Sequence, residues 1–137
     1  MIKLIITDMD GTFLNSQGDY NRELFQDVVA VMRDQGVKFA PCTGKQVERV
    51  EELLGEQSRD FWILGDSATR IKHRGEYVYQ SFLDNSLGLA IIRQLESIAG
   101  NHIVIACTPE FAAIRRDTPE PLQALVRRSY AQVNLVD

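Results

Sequence analysis

Two carboxylates one residue apart, Asp8 and Asp10, follow directly on the apolar run Leu4-Ile5-Ile6. Such a run reads as a buried strand over residues 2–7, so both acids stand where a strand gives way to a loop. In open parallel sheets, ligands gather at the carboxyl ends of the strands. A carboxylate there can attack phosphorus, hold a divalent cation or move a proton, and a pair can divide those tasks. Asp8, at the strand end, is placed as a nucleophile. Asp10 can serve the leaving group as general acid and then activate water as base. Gly11 allows a tight turn that brings backbone N–H groups close to an anion. Thr12 offers a hydroxyl that could fix Asp10. Magnesium suits carboxylate oxygens and phosphate together, which makes Asp8 and Asp10 its candidate ligands.

The second polar element is Thr43-Gly44, between a strand over residues 37–42 and a helix over residues 46–54. A hydroxyl and backbone N–H groups at a helix N-terminus form an anion site. Alone, the pair is an ordinary helix cap. After the neighbouring strand of one sheet, it faces the same crevice as Asp8. The candidate phosphate-binding residues are therefore Met9, Gly11 and Thr12 from the first loop and Thr43 and Gly44 from the second.

The elements that must position these loops alternate at first. Asn21 can cap a helix over residues 22–35, with Leu24, Phe25, Val28, Val29 and Met32 at helical spacing and Gly36 as its stop. Residues 13–20 are polar and read as a loop. The helix at 46–54 turns Val47, Val50, Leu53 and Leu54 inward, and residues 61–64 form a third strand. Alternation of this kind predicts right-handed crossovers and a parallel sheet. Residues 69–73 and 76–80 then flank Arg74-Gly75 as a hairpin. A helix over residues 87–99 follows, capped by Asp84-Asn85-Ser86, with Leu89, Ile92, Leu95, Ile98 and Ala99 on its apolar side. Strands at 102–107 and 111–116, a helix opened by Pro119 and Pro121 that runs to residue 130, and a strand at 133–136 complete the chain.

The fold class is thus α/β: an incomplete Rossmann-like parallel sheet core over residues 1–83, then a partial α/β cap over residues 84–137. With 137 residues, 45% of them apolar and 25% charged, the chain can bury an ordinary core. A net charge of −4 with only the isolated pairs Arg115-Arg116 and Arg127-Arg128 argues against a nucleic-acid partner. No apolar run approaches the roughly 18 residues of a membrane span, and no signal peptide precedes the first strand. Cys42 and Cys107 match no metal or redox spacing, which fits two reduced thiols in the cytoplasm. His73 and His102 are isolated.

These motifs resemble the haloacid dehalogenase-like hydrolase superfamily, and within it the α/β-capped Cof-type phosphatases, over the whole chain. Asp8-Met9-Asp10-Gly11-Thr12 matches the first family motif fully and Thr43 the second. The resemblance implies a Mg2+-dependent phosphatase of small phosphorylated metabolites. In it Asp8 is the nucleophile, Asp10 the acid/base, Thr43 a ligand of the transferring phosphoryl group, and the Asp8 side chain and Asp10 carbonyl hold the metal. Gly65-Asp66-Ser67-Ala68 stands where these phosphatases often carry Asn-Gly-Ala, and it is too early in the chain for the fourth, metal-binding motif. The third-motif lysine and the fourth-motif acids belong after the cap, and neither Lys45 nor Lys72 matches the third by order. That leaves a site short of positive charge and a sheet with an open edge, so a truncated product, a fragment or a degenerate relative is expected. The alternative is a non-catalytic module that binds phosphate or self-associates through that edge. A phosphoacceptor signalling domain would need an acceptor Asp after the third strand, and the switch to a hairpin just after Asp66 argues against it.

Overall fold

The computed structural model describes every residue except Ala99 and Asn101. The chain forms two compact units, Met1–Gln80 and Ser81–Asp137.

The first unit contains β1 (Leu4–Thr7), α1 (Arg22–Asp34), β2 (Lys38–Pro41), α2 (Val47–Leu54), β3 (Trp62–Gly65), β4 (Arg70–His73) and β5 (Glu76–Gln80). Asn21 caps α1 by accepting the Leu24 N–H on its side-chain oxygen, and Gly36 follows the helix with φ 67°, as the sequence reading has it. β1 and β2 pair in parallel, Leu4 opposite Lys38 through Thr7 opposite Pro41. A parallel bridge between Cys42 and Leu64 joins β3 to this pair, and β3, β4 and β5 continue antiparallel. A turn of 3-10 helix, Gly55–Asp60, links α2 to β3. It lacks the apolar periodicity that sequence reading depends on.

Aromatic rings fill the core of this unit. Phe25 lies edge-on to Phe13, Tyr20, Phe39 and Phe61, with centroids 4.8 to 5.9 Å apart. Met9, Leu14, Val29, Met32, Val47, Val50, Leu54 and Ile63 close around them. Residues 13–20 are thus more than a polar loop: Phe13 and Leu14 tie the segment after the acidic motif into the core. On the hairpin, the Trp62 indole stacks on His73 at 4.3 Å.

Two expectations about burial are corrected. The apolar run of β1 reads as buried, yet Leu4, Ile5 and Ile6 are 49, 37 and 57% exposed. The reason is topological: among the described residues β1 has a neighbour on one side only. Likewise Phe25, Val29 and Met32 of α1 are buried, whereas Leu24 and Val28 face solvent.

The second unit contains α3 (Asn85–Glu96), β6 (Ala106–Cys107), β7 (Ala112–Arg115), α4 (Glu120–Arg127) and β8 (Val133–Val136). Asp84 caps α3 through the N–H groups of Ser86 and Leu87. The helix ends three residues before Ala99, which lies outside the described residues. The strand expected at 102–107 shrinks to Ala106–Cys107, and α4 stops before Tyr130. β7 and β8, joined through α4, pair in parallel, and Ala112, Ile114 and Val126 are buried.

Truncating Phe25 to Ala should cost the first unit about 3–5 kcal/mol, because four rings lose their common partner. Val78→Thr, on the exposed side of β5, should change stability by less than about 0.5 kcal/mol. Urea denaturation followed by circular dichroism measures both.

Candidate functional site

Parallel pairing of β1 and β2 makes both strands deliver their loops at the same end. The ladder closes where the Cys42 N–H donates to the Thr7 carbonyl at 2.8 Å. One residue further along each strand come Asp8 and Thr43.

The acidic loop is a compact turn. The Met9 side chain is fully buried in the core, and its carbonyl accepts the Leu14 N–H at 2.7 Å. Of Met9, only the backbone can meet a ligand. Gly11 has φ 75°, a conformation that disfavours any residue with a Cβ. Asp8, Asp10, Gly11 and Thr12 are all exposed. The Thr12 hydroxyl lies 3.4 Å from Asp8 Oδ2, so it braces Asp8 and not Asp10.

What holds Asp10 is Lys45. Its Nζ lies 3.0 Å from Asp10 Oδ1, and the lysine side chain is only 7% exposed. The sequence reading sets Lys45 aside because its order in the chain does not fit the third motif. Geometry brings it in: it leaves the turn just after Thr43-Gly44 and crosses to the neighbouring loop. The signal available in the sequence was simply a cation two residues beyond a phosphate-type turn. Thr43 is buried, and its hydroxyl accepts the Lys45 N–H at 3.2 Å. Gly44 is exposed at the mouth of the turn.

A third loop locks this turn in place. The Thr43 N–H donates to the Leu64 carbonyl, Asp66 N–H to the Lys45 carbonyl and Ser67 N–H to the Thr43 carbonyl, at 3.0, 2.8 and 3.0 Å. To do so, Asp66, Ser67 and Ala68 all take positive φ, at 51°, 57° and 62°. Non-glycine residues pay for that conformation, and three in succession persist only where the surroundings over-determine them. Gly65 is the condition for the contact. A Cβ there would stand 2.5 Å from Val47 Cγ2 and 2.8 Å from the Val47 nitrogen. Ser67 Oγ lies 3.7 Å from the position a Cβ on Gly44 would take, so its hydroxyl sits beside the turn.

Behind the loop lies a half-buried ionic cluster around the buried Arg70. Arg70 donates to both oxygens of Glu48 at 3.0 and 3.2 Å and to Asp66 at 3.3 Å. Tyr77 donates to Glu48 and lies under the guanidinium. Lys72 pairs with Glu51 at 2.8 Å. Burial pushes the Glu48 carboxyl up, but the Tyr77 hydroxyl and the Arg70 guanidinium outweigh it and hold Glu48 below the usual carboxylate range. Burial wins at Asp66, whose carboxyl is raised despite Arg70.

Could the site hold a metal? Among the described residues no group of three or more His, Cys, Asp or Glu side chains converges. Asp8 and Asp10 remain as hard oxygen donors. Magnesium is often bound by only one or two carboxylates together with carbonyls, substrate phosphate and water, so the Asp8 carboxylate with the Asp10 backbone carbonyl fits part of such a shell. A recess of about 250 Å³ bordered by Phe39, Phe61 and His73 lies at the amino ends of β2 and β3, away from this chemistry.

With that geometry in view, comparison with known proteins is decisive. Residues 5–129 match the family described as haloacid dehalogenase-like hydrolase. The chain belongs to that family. It is 26% identical over 136 residues to 5-amino-6-(5-phospho-D-ribitylamino)uracil phosphatase YbjI of Escherichia coli, covering 99% of this chain and 50% of that one. Its fold is that of SMU.1108c from Streptococcus mutans, with a TM-score of 0.94 at 20% identity, covering 100% of this chain and 52% of that one. A haloacid dehalogenase-like hydrolase from Bacillus subtilis superposes with a TM-score of 0.75 at 22% identity, over 90% of this chain and 42% of its own. The chain thus spans about half the length of the curated relative it matches end to end.

Gly65→Ala should destabilise the first unit by about 1–3 kcal/mol, since Val47 is backbone-tethered and cannot give way; thermal melts check this. The pH response follows from Glu48. Its folded pKa is lowered, so its contribution is complete above the ordinary value of 4.5 and is lost as pH falls through the folded value. Asp66, with a raised pKa, acts in the opposite sense. Glu48→Gln should therefore flatten the loss of stability as pH falls below about 4.5, read as urea midpoints; an unchanged slope would refute the assignment.

Proposed function

We propose that the chain carries the nucleophile half of a magnesium-dependent phosphatase of small phosphorylated metabolites. The observation that carries this reading is the Lys45–Asp10 contact at 3.0 Å, which brings the acidic loop and the Thr43 turn together at the carboxyl ends of paired parallel strands. The match to a hydrolase family and the name of the Escherichia coli relative support the reaction class.

In this reading an Asp8 carboxylate oxygen attacks phosphorus, forming an aspartyl phosphate as the bond from phosphorus to the leaving alcohol breaks. Asp10 gives that alcohol its proton. Asp10 then takes a proton from water as the water attacks phosphorus, the Asp8–phosphorus bond breaks and inorganic phosphate leaves. Backbone N–H groups of the 8–12 turn and of Thr43-Gly44 receive the phosphoryl oxygens. Lys45 orients the Asp10 carboxyl and adds one positive charge to an otherwise acidic site. The Asp8 carboxylate and the Asp10 backbone carbonyl would hold magnesium, which when bound offsets phosphate charge. A cytoplasmic setting belongs to the same reading; no described helix is long and apolar enough to cross a membrane.

Release of phosphate from p-nitrophenyl phosphate should depend on added magnesium and fall at least about 100-fold in Asp8→Asn. Asp10→Asn should lower the rate by about 10²–10⁴. Activity that survives Asp8→Asn would sink the mechanism. Turnover absent from the unmodified chain, with phosphate binding retained, would favour the alternative of a phosphate-binding module.

A further inference from the structure

β1, β2 and β3 run parallel, and their carboxyl ends deliver three loops side by side: residues 8–12, 43–45 and 66–68. Most hydroxyl groups gathered there are committed. Thr7 donates to the Asp8 carbonyl at 2.9 Å, and Thr12 donates to the Asp8 carboxylate. Thr43 accepts the Lys45 N–H, and Thr69 donates to the Asp66 carbonyl at 2.7 Å. Ser67 differs. It is exposed, and among the described residues its hydroxyl has no hydrogen-bond partner.

Ser67 presents that hydroxyl from a strained backbone. Its φ is 57° and its ψ 41°, the left-handed region where a Cβ is unfavourable and glycine is at ease. Asp66 shares the conformation, but aspartate tolerates it better, and its carboxylate accepts from Arg70. Ser67 gains no such contact from its side chain. Its backbone N–H donates to the Thr43 carbonyl at 3.0 Å, and a glycine would make the same bond without the strain. Completing the turn therefore does not call for serine; only the hydroxyl does. Strain of this kind gathers where a group is held ready for a ligand.

The position of the hydroxyl indicates which part of a ligand it meets. Ser67 Oγ would lie 3.7 Å from a Cβ on Gly44, and Gly44, exposed and without a side chain, leaves that space open. Neighbouring strands are about 4.8 Å apart, so the loop after β3 stands about 10 Å from the loop after β1. A phosphoryl group attacked by Asp8 and held by Thr43-Gly44 occupies the first of those two intervals. Ser67 borders the second. In-line transfer sets the leaving oxygen on the side of phosphorus away from Asp8. The part of a substrate nearest Ser67 is then the alcohol, beyond the phosphoryl oxygens.

We propose that Ser67 is a specificity-determining residue: its hydroxyl hydrogen-bonds the leaving alcohol and favours phosphate monoesters whose alcohol carries a further hydroxyl group. The proposal rests on the phosphatase reading and adds to it a contact outside the phosphoryl site. Ser67 takes no part in bond making or breaking.

The probes are glycerol 3-phosphate and propyl phosphate, which share a three-carbon chain and differ in its hydroxyl groups. Calorimetric titration of the full chain in an Asp8→Asn background, with magnesium present, measures binding without turnover. Glycerol 3-phosphate should bind about 5-fold more tightly, the yield of one added neutral hydrogen bond. Ser67→Ala, which keeps the Cβ, and Ser67→Gly, which removes it, should each bring the ratio to about 1 and leave propyl phosphate within about 2-fold. Ser67→Gly should also melt at or above the parent, by up to about 4 °C, because the left-handed strain is relieved. Selectivity lost while stability is kept or raised is a result that a merely structural serine would not give. Discrimination that persists in both variants, or an equal loss of affinity for both esters, would overturn the assignment. So would a parent that binds the two esters alike. In each of those cases propyl phosphate still binds and the phosphatase reading stands; a parent that binds neither ester overturns both.

Discussion

The site depends on how closely α2 can approach the end of β3. Gly65 permits that approach, because any side chain there would collide with Val47 at its backbone nitrogen. With Val47 held against the strand, the preceding turn has only one place to go. Thr43, Gly44 and Lys45 are carried under the loop that follows β3, and the backbone of that loop bonds to two of them. Lys45 then spans to Asp10. The distance between two motifs 30-odd residues apart in the chain is thereby fixed through a third element that contributes no acid or base of its own to the crevice.

The left-handed residues Asp66, Ser67 and Ala68 belong to the same arrangement. Their strained conformation is held from both sides: by backbone bonds to the Thr43 turn in front and by Arg70 on Asp66 behind. Arg70 in turn is clamped by Glu48 of α2 and lies over Tyr77 of β5. A buried ion pair gives little net stability, since desolvation offsets most of the Coulomb attraction. What such a cluster can provide is one admissible position for three segments at once. That is the property needed of a turn whose task is to hold a hydroxyl and an ammonium at set points.

Much of this was readable from residue types. Local signals did well: Asn21 opens α1, Gly36 stops it, Arg74-Gly75 turns the hairpin, and the order of strand and helix implies parallel pairing of β1 with β2. Signals that depend on distant neighbours did not. Leu4-Ile5-Ile6 has the composition of a central strand, and composition cannot report that, among the described residues, only one edge of β1 is paired. Leu24 and Val28 have helical spacing, yet a few tens of degrees around the helix separate them from the buried stripe. Lys45 looks misplaced when motifs are compared by order, because order says nothing about where a long side chain reaches. The Arg70 cluster draws on α2, a loop and a hairpin, and no spacing rule links Glu48 to Tyr77.

The stack of Trp62 on His73 has a practical meaning beyond packing. Trp62 is the single tryptophan of the chain, and it sits where β3 pairs with β4 in the first unit. Indole emission is therefore a label built into one unit, whereas the second, from Ser81 onward, is optically silent at that wavelength. A far-ultraviolet signal averages both. Where the two signals diverge on heating, the separation measures how far the units melt independently, with no dye or fusion attached.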